Sequence, residues 1–163
     1  MNNGKYTIKP IEEKDNKALA KLIRTTLEEY AIPQCGTVYS DPTTDDLFAL
    51  FQTVGSIFYV AFMNNEVVGC CGIYPTEGLP QGCAELVKFY VGENTRGLGI
   101  GKILMLQSIE FAKQAGYRQL YLESFPNFTT AIAMYKKNGF KNIEHSLGNS
   151  GHTSCNVWML MDV

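Results

Sequence analysis

Apolar residues recur along this chain with two periods, and the two periods predict strands and helices. Short apolar runs between turn residues predict strands, and apolar positions three to four residues apart predict amphipathic helices. The predicted strands are 6–9, 56–63, 66–74, 83–92, 119–124, 140–145 and 153–161; the predicted helices are 15–30, one capped by Thr43 or Thr44, one running from the end of a glycine-rich loop to about residue 115, and 130–138. We therefore expect one mixed α/β domain spanning residues 1–163.

Turn residues sharpen these boundaries. Asn64 and Asn65 lie between two predicted strands and predict a tight hairpin. Gly116 follows the third predicted helix and is expected to end it in the left-handed conformation. Cys70 and Cys71 are adjacent in a strand, so their thiols should point to opposite faces of the sheet.

The glycine-rich loop at residues 96–102 is the strongest chemical signal. It follows a predicted strand and opens a helix, whose first N–H groups have no partner within the helix. Glycines let phosphate oxygens approach such amides, and the helix dipole favours an anion there. The spacing fits neither a P-loop, which needs a Ser or Thr where Ile103 stands, nor the dinucleotide fingerprint, whose third glycine is replaced by Lys102. A purely structural turn remains the alternative.

Composition excludes several classes of protein. A net charge of -2 argues against a dedicated nucleic-acid partner, and the longest apolar run, 57–63, is too short to span a membrane. Residues 1–9 lack the apolar core of a signal peptide, so we expect a cytoplasmic protein. The five cysteines form no Cys-x-x-Cys pair, which favours buried thiols and no metal site.

Two motifs together resemble the GCN5-related N-acetyltransferase (GNAT) family. Residues 96–101, Arg-Gly-Leu-Gly-Ile-Gly, match its Gln/Arg-x-x-Gly-x-Gly/Ala motif, and residues 131–140 resemble its Ala-x-x-x-Tyr-x-Lys-x-Gly-Phe motif. The resemblance implies a mixed, mostly antiparallel sheet of six to seven strands flanked by about four helices, with parallel fourth and fifth strands that splay apart. It also implies acetyl-CoA as a co-substrate without a metal. Its contacts would be the backbone of Phe89, Tyr90 and Val91 and the amides of Arg96, Gly97, Leu98, Gly99, Ile100, Gly101 and Lys102.

The resemblance implies an enzyme, an N-acetyltransferase that moves the acetyl group directly to a primary amine. This reaction assigns roles to a few side chains. An amine must lose a proton before it attacks, so a base helps. Glu85 is the candidate base, and strand alternation predicts that it shares a face with Val87, Phe89 and Val91. Glu123, His152 or a chain of waters are alternatives, and a solvated carboxylate at a strand end is another reading of Glu85. Tyr135 matches the family's general acid, although it also fits a core position.

The acceptor is the least determined part. Relatives commonly carry a coenzyme-contacting Asn where this chain has Phe128, and Asn127 lies one residue early. The resemblance implies that residues 30–51, together with residues 74–81, form the acceptor site. Acids there could attract an amine of a small molecule or a peptide, and a homodimer is left open. The rival interpretation is a non-catalytic module that binds acyl-CoA. The residues of interest in the acceptor region are Tyr39, Asp41, Asp45 and Asp46.

Overall fold

All seven strands of the computed structural model, which describes residues 6–163, belong to a single sheet. The strands are β1 (Thr7–Pro10), β2 (Ile57–Met63), β3 (Glu66–Tyr74), β4 (Cys83–Val91), β5 (Gln119–Ser124), β6 (Lys141–Asn142) and β7 (Val157–Asp162). Their order is β1-β2-β3-β4-β5-β7-β6, and only β4 and β5 are parallel. The expected mixed, mostly antiparallel sheet is confirmed.

Within residues 6–163, four α-helices flank the sheet, and the buried apolar residues form two separate clusters. The helices are α1 (Asn16–Glu29), α2 (Leu47–Leu50), α3 (Ile100–Gln114) and α4 (Thr129–Lys137), with single 3-10 turns at Glu13–Asp15, Pro42–Asp45 and Glu93–Thr95. Leu19 and Ile23 of α1 anchor one core, and Leu104 and Met105 of α3 anchor the other. Within residues 6–163, no helix combines the length and the apolar character needed to cross a membrane.

Local signals predicted most turns correctly. Asn64 and Asn65 have φ values of 52° and 65°, as expected for a tight hairpin, and Gly116 ends α3 with φ 88°. The predicted caps Thr43 and Thr44 are wrong, because the carboxylate of Asp41 accepts the Thr43 N–H and a second carboxylate caps α2. Pro42 directly after Asp41 was the available signal, since proline favours the first position of a helix.

The last two strands are shorter than predicted. β6 holds only Lys141–Asn142, and β7 begins at Val157 rather than at residue 153. The intervening segment is held instead by contacts with other parts of the chain. The Leu147 N–H donates to the Tyr121 hydroxyl at 3.0 Å, and the Asn149 N–H donates to the Glu77 carbonyl at 2.7 Å. Residues 143–156, which these contacts hold in place, form no strand of the sheet.

The parallel strands β4 and β5 part soon after they meet. They pair only where Cys83–Glu85 faces Gln119–Tyr121. Beyond Glu85, β4 keeps its antiparallel partner β3, but no strand within residues 6–163 pairs with its other side. The predicted splay of these two strands is therefore present, and a cleft opens from Glu85 onward.

A β-bulge at Lys88 corrects one prediction. Cys70 of β3 pairs with Tyr90, and Gly72 pairs with Val87, so β4 carries one extra residue between these pairs. Lys88 takes φ 52° to accommodate it. The bulge reverses the alternation: Val87 and Tyr90 pack with the α1 core, and Phe89 and Val91 with the α3 core. Glu85 lies on the face of Val87, so the prediction that it shares a face with Phe89 and Val91 is wrong.

Candidate active site

The glycine loop leaves an open surface above the start of α3. Gly97 and Gly99 have φ values of 79° and 84°, and a Cβ at either position would meet no protein atom within 4 Å. The first helical bond runs from the Ile103 N–H to the Gly99 carbonyl. The preceding amides therefore have no helical acceptor and can bind an anion.

Gly101 serves a different purpose from the other two glycines of the loop. Its Cβ would lie 3.2 Å from Cζ of Phe89 and 3.4 Å from Cγ2 of Val91. A side chain at Gly101 would therefore push α3 away from β4. This glycine sets how closely the anion-binding helix approaches the strand that lines the cleft.

Arg96 is tied into the protein by three contacts. Its Nε donates to the Val91 carbonyl at 3.0 Å, and Nη2 pairs with the Glu29 carboxylate at 2.9 Å. The guanidinium also lies 5.2 Å from the ring centre of Tyr30. These contacts fasten the loop to β4 and α1, so much of the side chain's hydrogen-bonding capacity is already used.

Two adjoining cavities lie along the gap between β4 and β5. The larger, of about 370 Å³, lies over the glycine loop and extends to Met134 of α4. The smaller, of about 60 Å³, lies nearer the point where β4 and β5 meet. Both cavities are bounded by Phe89, Tyr90, Phe128 and Ala131, so the two cavities lie side by side.

Phe128 forms part of the wall between the cavities. Its ring centre lies 4.7 Å from that of Tyr30 and 6.4 Å from that of Tyr90. The neighbouring Asn127 donates from Nδ2 to the Tyr30 carbonyl at 2.9 Å. The amide of Asn127 thus helps to fix the end of α1 rather than replacing the family's usual asparagine.

Glu85 is a buried carboxyl group in the smaller cavity. Only 4% of the residue is exposed, and Oε2 accepts a 2.7 Å hydrogen bond from the Thr76 hydroxyl. Burial raises its pKa to about 7, and the nearby Glu123 adds to the rise, whereas Thr76 and Lys88 oppose it. Burial also raises the pKa of Glu123. A carboxyl group near pKa 7 can accept and release protons at neutral pH.

Tyr135 lines the same cavity from α4. Its ring packs between Phe89 and Phe140, with ring centres 5.9 and 5.7 Å away. Burial raises the pKa of Tyr135 well above its ordinary value, so the phenol stays protonated at neutral pH. Its hydroxyl donates no hydrogen bond to any residue in 6–163 and is not fully enclosed. It is a free donor at the cavity.

His152 and Asp41 join two loops beside the smaller cavity. Nε2 of His152 lies 2.9 Å from Oδ2 of Asp41. Burial raises the pKa of Asp41, but hydrogen bonds from His152 and Thr43 outweigh burial and lower it overall. The other residues expected near the acceptor are engaged elsewhere. Asp45 pairs with Arg24 at 2.6 Å, Asp46 caps α2, and Tyr39 donates to Glu28 at 2.6 Å.

The family assignment follows from a sequence-family model. The model for the acetyltransferase (GNAT) family matches residues 22–140, which include the glycine loop, Glu85 and Tyr135. This chain belongs to the GNAT family. The uncharacterized N-acetyltransferase YjgM of Escherichia coli (strain K12) is 36% identical to it over 150 residues, covering 91% of this chain and 90% of that protein. The expectation of an acyltransferase is confirmed.

Solved GNAT structures share the fold. An acetyltransferase of the GNAT family from Staphylococcus aureus Mu50 superimposes with a TM-score of 0.84 at 21% identity, covering 96% of this chain and 98% of that one. The PaiA N-acetyltransferase from Thermoplasma acidophilum, solved in complex with coenzyme A, gives 0.76 at 20% identity, with coverages of 97% and 99%. At such identities the likeness establishes the GNAT fold only.

Two polar residues at Glu85 and the smaller cavity of this GNAT chain were not predicted from the sequence. Thr76 follows β3 and bonds to Glu85 from a loop that sequence alone does not fold back. Lys88 is 8% exposed and lines the cavity. A lone lysine within the apolar run of residues 86–91 was the available signal. Around these residues, the described part of the chain contains no cluster of metal-binding side chains.

Proposed function

We propose that this protein is an acetyl-CoA-dependent N-acetyltransferase that transfers the acetyl group directly to a primary amine, with residues 1–163 acting as one catalytic domain. One observation carries the proposal. The cavity at the glycine loop adjoins a small cavity that holds a carboxyl group of pKa about 7 and a free phenol. Such a layout suits a donor with a diphosphate at one end and a reactive acyl group at the other.

The donor fits the larger cavity. Its pyrophosphate would accept hydrogen bonds from the amides of residues 96–102, where Gly97 and Gly99 leave the surface clear. Its pantetheine arm would pair with the backbone of Phe89, Tyr90 and Val91 along the side of β4 that does not face β3. The thioester would then lie at the smaller cavity, between Glu85 and Tyr135.

The residues of the smaller cavity would handle the protons. Glu85 takes a proton from the acceptor ammonium, leaving a lone pair on nitrogen. As the new C–N bond forms, the Val91 amide would stabilise the carbonyl oxygen, which gains negative charge. The C–S bond then breaks, the sulfur leaves with the bonding electrons, and Tyr135 supplies its proton. The second proton that the nitrogen loses restores the Tyr135 phenol, and Glu85 returns the first one to solvent. The balanced outcome is an N-acetyl amine, a free thiol and one proton released to solvent.

A non-catalytic acyl-CoA-binding module is the rival interpretation. A module needs the larger cavity but has no need for a buried carboxyl group beside a free phenol. Burial of the Glu85 carboxyl group lowers the stability of the fold, because a buried charge loses its hydration. A role in catalysis would explain why such a destabilising group is present. The two groups together favour the enzyme. We also propose that it acts in the cytoplasm, where its five free thiols would stay reduced.

Thiol release tests the proposal. The purified protein is mixed with acetyl-CoA and a panel of amines that includes polyamines, amino acids, aminoglycosides and peptide N-termini, and free thiol is followed with a dye. We expect release that depends on one class of amine and is lost in Glu85→Gln and Tyr135→Phe. Tight coenzyme A binding without amine-dependent release would favour the module.

A further inference from the structure

Lys88 is a buried lysine that lines the smaller cavity and forms no ion pair within residues 6–163. The residue is 92% buried at the bulge of β4, where its carbonyl accepts the Cys70 thiol at 3.2 Å. Its ammonium forms no ion pair with any residue in 6–163. None of these residues has a fully enclosed side-chain nitrogen that lacks a partner, so the Lys88 ammonium is not fully enclosed. Lys88 lines the smaller cavity together with Glu85 and Glu123.

Nearby carboxylates favour the charged form of Lys88 without forming an ion pair with it. Burial lowers the pKa of Lys88, and Asp41 and Glu85 oppose that effect. Asp41 is already paired with His152 and with Thr43. Glu85 is bonded to Thr76. Lys88 therefore keeps its capacity to donate hydrogen bonds to something that enters the cavity.

A buried lysine is rare unless it is paired, because desolvation of its charge is costly. The bulge adds a further cost, since a non-glycine residue at φ 52° is strained. An anionic group on the ligand would offset the first of these costs. The lining of the smaller cavity thus carries groups of both signs, the acids Glu85 and Glu123 and the base Lys88.

We propose that Lys88 binds the carboxylate of the acceptor, and that the acceptor is an α-amino acid whose α-amine is acetylated. The inference rests on the proposed N-acetyltransferase function and specifies its substrate class. Glu85 and Glu123 would face the amine, and Lys88 the carboxylate of the same zwitterion. The volume of about 60 Å³ suits the few atoms of an amino-acid head group. A polyamine would bring only positive charge to Lys88, and a peptide N-terminus would lack the adjacent carboxylate.

The test compares α-amino acids with their own carboxamides. Each pair has the same amine and side chain but differs in the charge that Lys88 would bind. Acetyl-CoA-dependent thiol release is measured for wild type and for Lys88→Asn, Lys88→Arg and the exposed control Lys113→Asn. Asparagine tolerates positive φ better than most residues, so Lys88→Asn removes the charge with little added backbone strain. Circular dichroism and coenzyme A affinity verify that each variant is folded.

We expect wild type to use at least one amino acid with a kcat/KM tenfold or more above that of its carboxamide. Lys88→Asn should lower kcat/KM for the amino acid tenfold or more, and change it less than threefold for the carboxamide. Lys88→Arg should keep the preference, which also excludes a role for Lys88 as a neutral base, and Lys113→Asn should match wild type. Equal use of the two forms by wild type, or an equal loss of both in Lys88→Asn, overturns the inference.

The two proposals fail in different ways. Thiol release with amines that lack a carboxylate, and with no preference for amino acids, supports the N-acetyltransferase and rejects the role of Lys88. Absence of release with every amine rejects the N-acetyltransferase. In that case, calorimetric titration of the same amino acids and carboxamides into the protein saturated with coenzyme A decides the role of Lys88. Carboxylate-dependent binding that is lost in Lys88→Asn upholds it, and no difference between the two ligand forms rejects it.

Discussion

The Thr76 hydroxyl donates a 2.7 Å hydrogen bond to the Glu85 carboxylate at the point where β4 and β5 separate. The bond favours the charged carboxylate and lowers its pKa, while burial and Glu123 raise it to about 7. The proton affinity of Glu85 is thus set by identifiable neighbours, and each of them can be changed separately.

Glu85→Gln should remove a titration from the pH–rate profile. Glu85 must be deprotonated to accept a proton, so kcat/KM of wild type should rise as the pH increases through about 7. The variant should lack this limb, and its rate should fall by roughly 10²- to 10⁴-fold at pH 8, as is common for a lost general base. The exposed control Glu110→Gln should keep the wild-type profile. A limb near pH 7 that survives in Glu85→Gln would assign the base elsewhere.

Thr76→Val and Glu123→Gln should move that limb in opposite directions. Without the Thr76 hydroxyl, the pKa of Glu85 should rise and the limb should shift to higher pH. Without the Glu123 charge, the pKa of Glu85 should fall, and the limb should shift to lower pH. Full pH profiles of kcat/KM with one acceptor measure both shifts. Because an ordinary loss of packing does not move a pKa in a chosen direction, coincident limbs would contradict the assignment.

Glu85 should also make the fold less stable as the pH rises. Its folded pKa of about 7 exceeds the ordinary 4.5, so between these values the folded chain holds a proton that the unfolded chain has lost. Stability should therefore fall across this window, by on the order of 3 kcal/mol in total. Chemical denaturation of Glu85→Gln at pH 5 and pH 8 checks this. The variant should gain stability relative to wild type on going from pH 5 to pH 8, whereas Glu110→Gln should not.

Tyr135→Phe should lower turnover and leave coenzyme A affinity nearly unchanged. The phenol supplies a proton to the leaving sulfur but is not required to hold the donor, so we expect kcat to fall roughly 10- to 1000-fold. Calorimetry with coenzyme A and initial rates at saturating acetyl-CoA separate the two effects. Tyr59→Phe removes a partly buried hydroxyl in β2, outside the cavities, and is the matched control. Unchanged turnover in Tyr135→Phe would leave Tyr135 as a core residue.

Gly99→Leu should weaken coenzyme A binding more than it destabilises the fold. Gly99 and Gly116 both have strongly positive φ, and a Cβ would meet no protein atom at either. Gly116→Leu therefore reproduces the backbone strain, about 1–2 kcal/mol, at the other end of α3. We expect similar losses of stability in the two variants, but a tenfold or greater loss of coenzyme A affinity only in Gly99→Leu. Arg96→Ala should weaken coenzyme A binding less than Gly99→Leu. Equal coenzyme A affinities for Gly99→Leu and Gly116→Leu would contradict diphosphate binding at the glycine loop.

The parts of the fold with local signals were predictable from sequence. Asn64 and Asn65 specify their turn, Gly116 ends α3, and the glycines of the loop need no distant partner to adopt positive φ. The bulge at Lys88 had no such signal, because a lysine does not ordinarily favour φ 52°. Simple alternation therefore placed Glu85 on the face of Phe89, which is wrong.

Long-range contacts account for the rest of what sequence could not predict at the candidate site. Asp41 and His152 are 111 residues apart, and only the folded chain brings them to 2.9 Å. The same holds for Asn127, whose amide is used by the Tyr30 carbonyl. Polar residues such as these have many potential partners, and short-range patterns do not choose among them.

The separation of β4 from β5 leaves an edge inside the sheet. Backbone N–H and C=O groups along that side of β4 have no strand to bond to, although the sheet continues on the far side of the gap. An exposed strand edge can pair with another protein chain, but the walls of the larger cavity restrict access to this edge. A bound ligand would then complete the sheet, and the slowing of amide hydrogen exchange along β4 would report directly on occupancy.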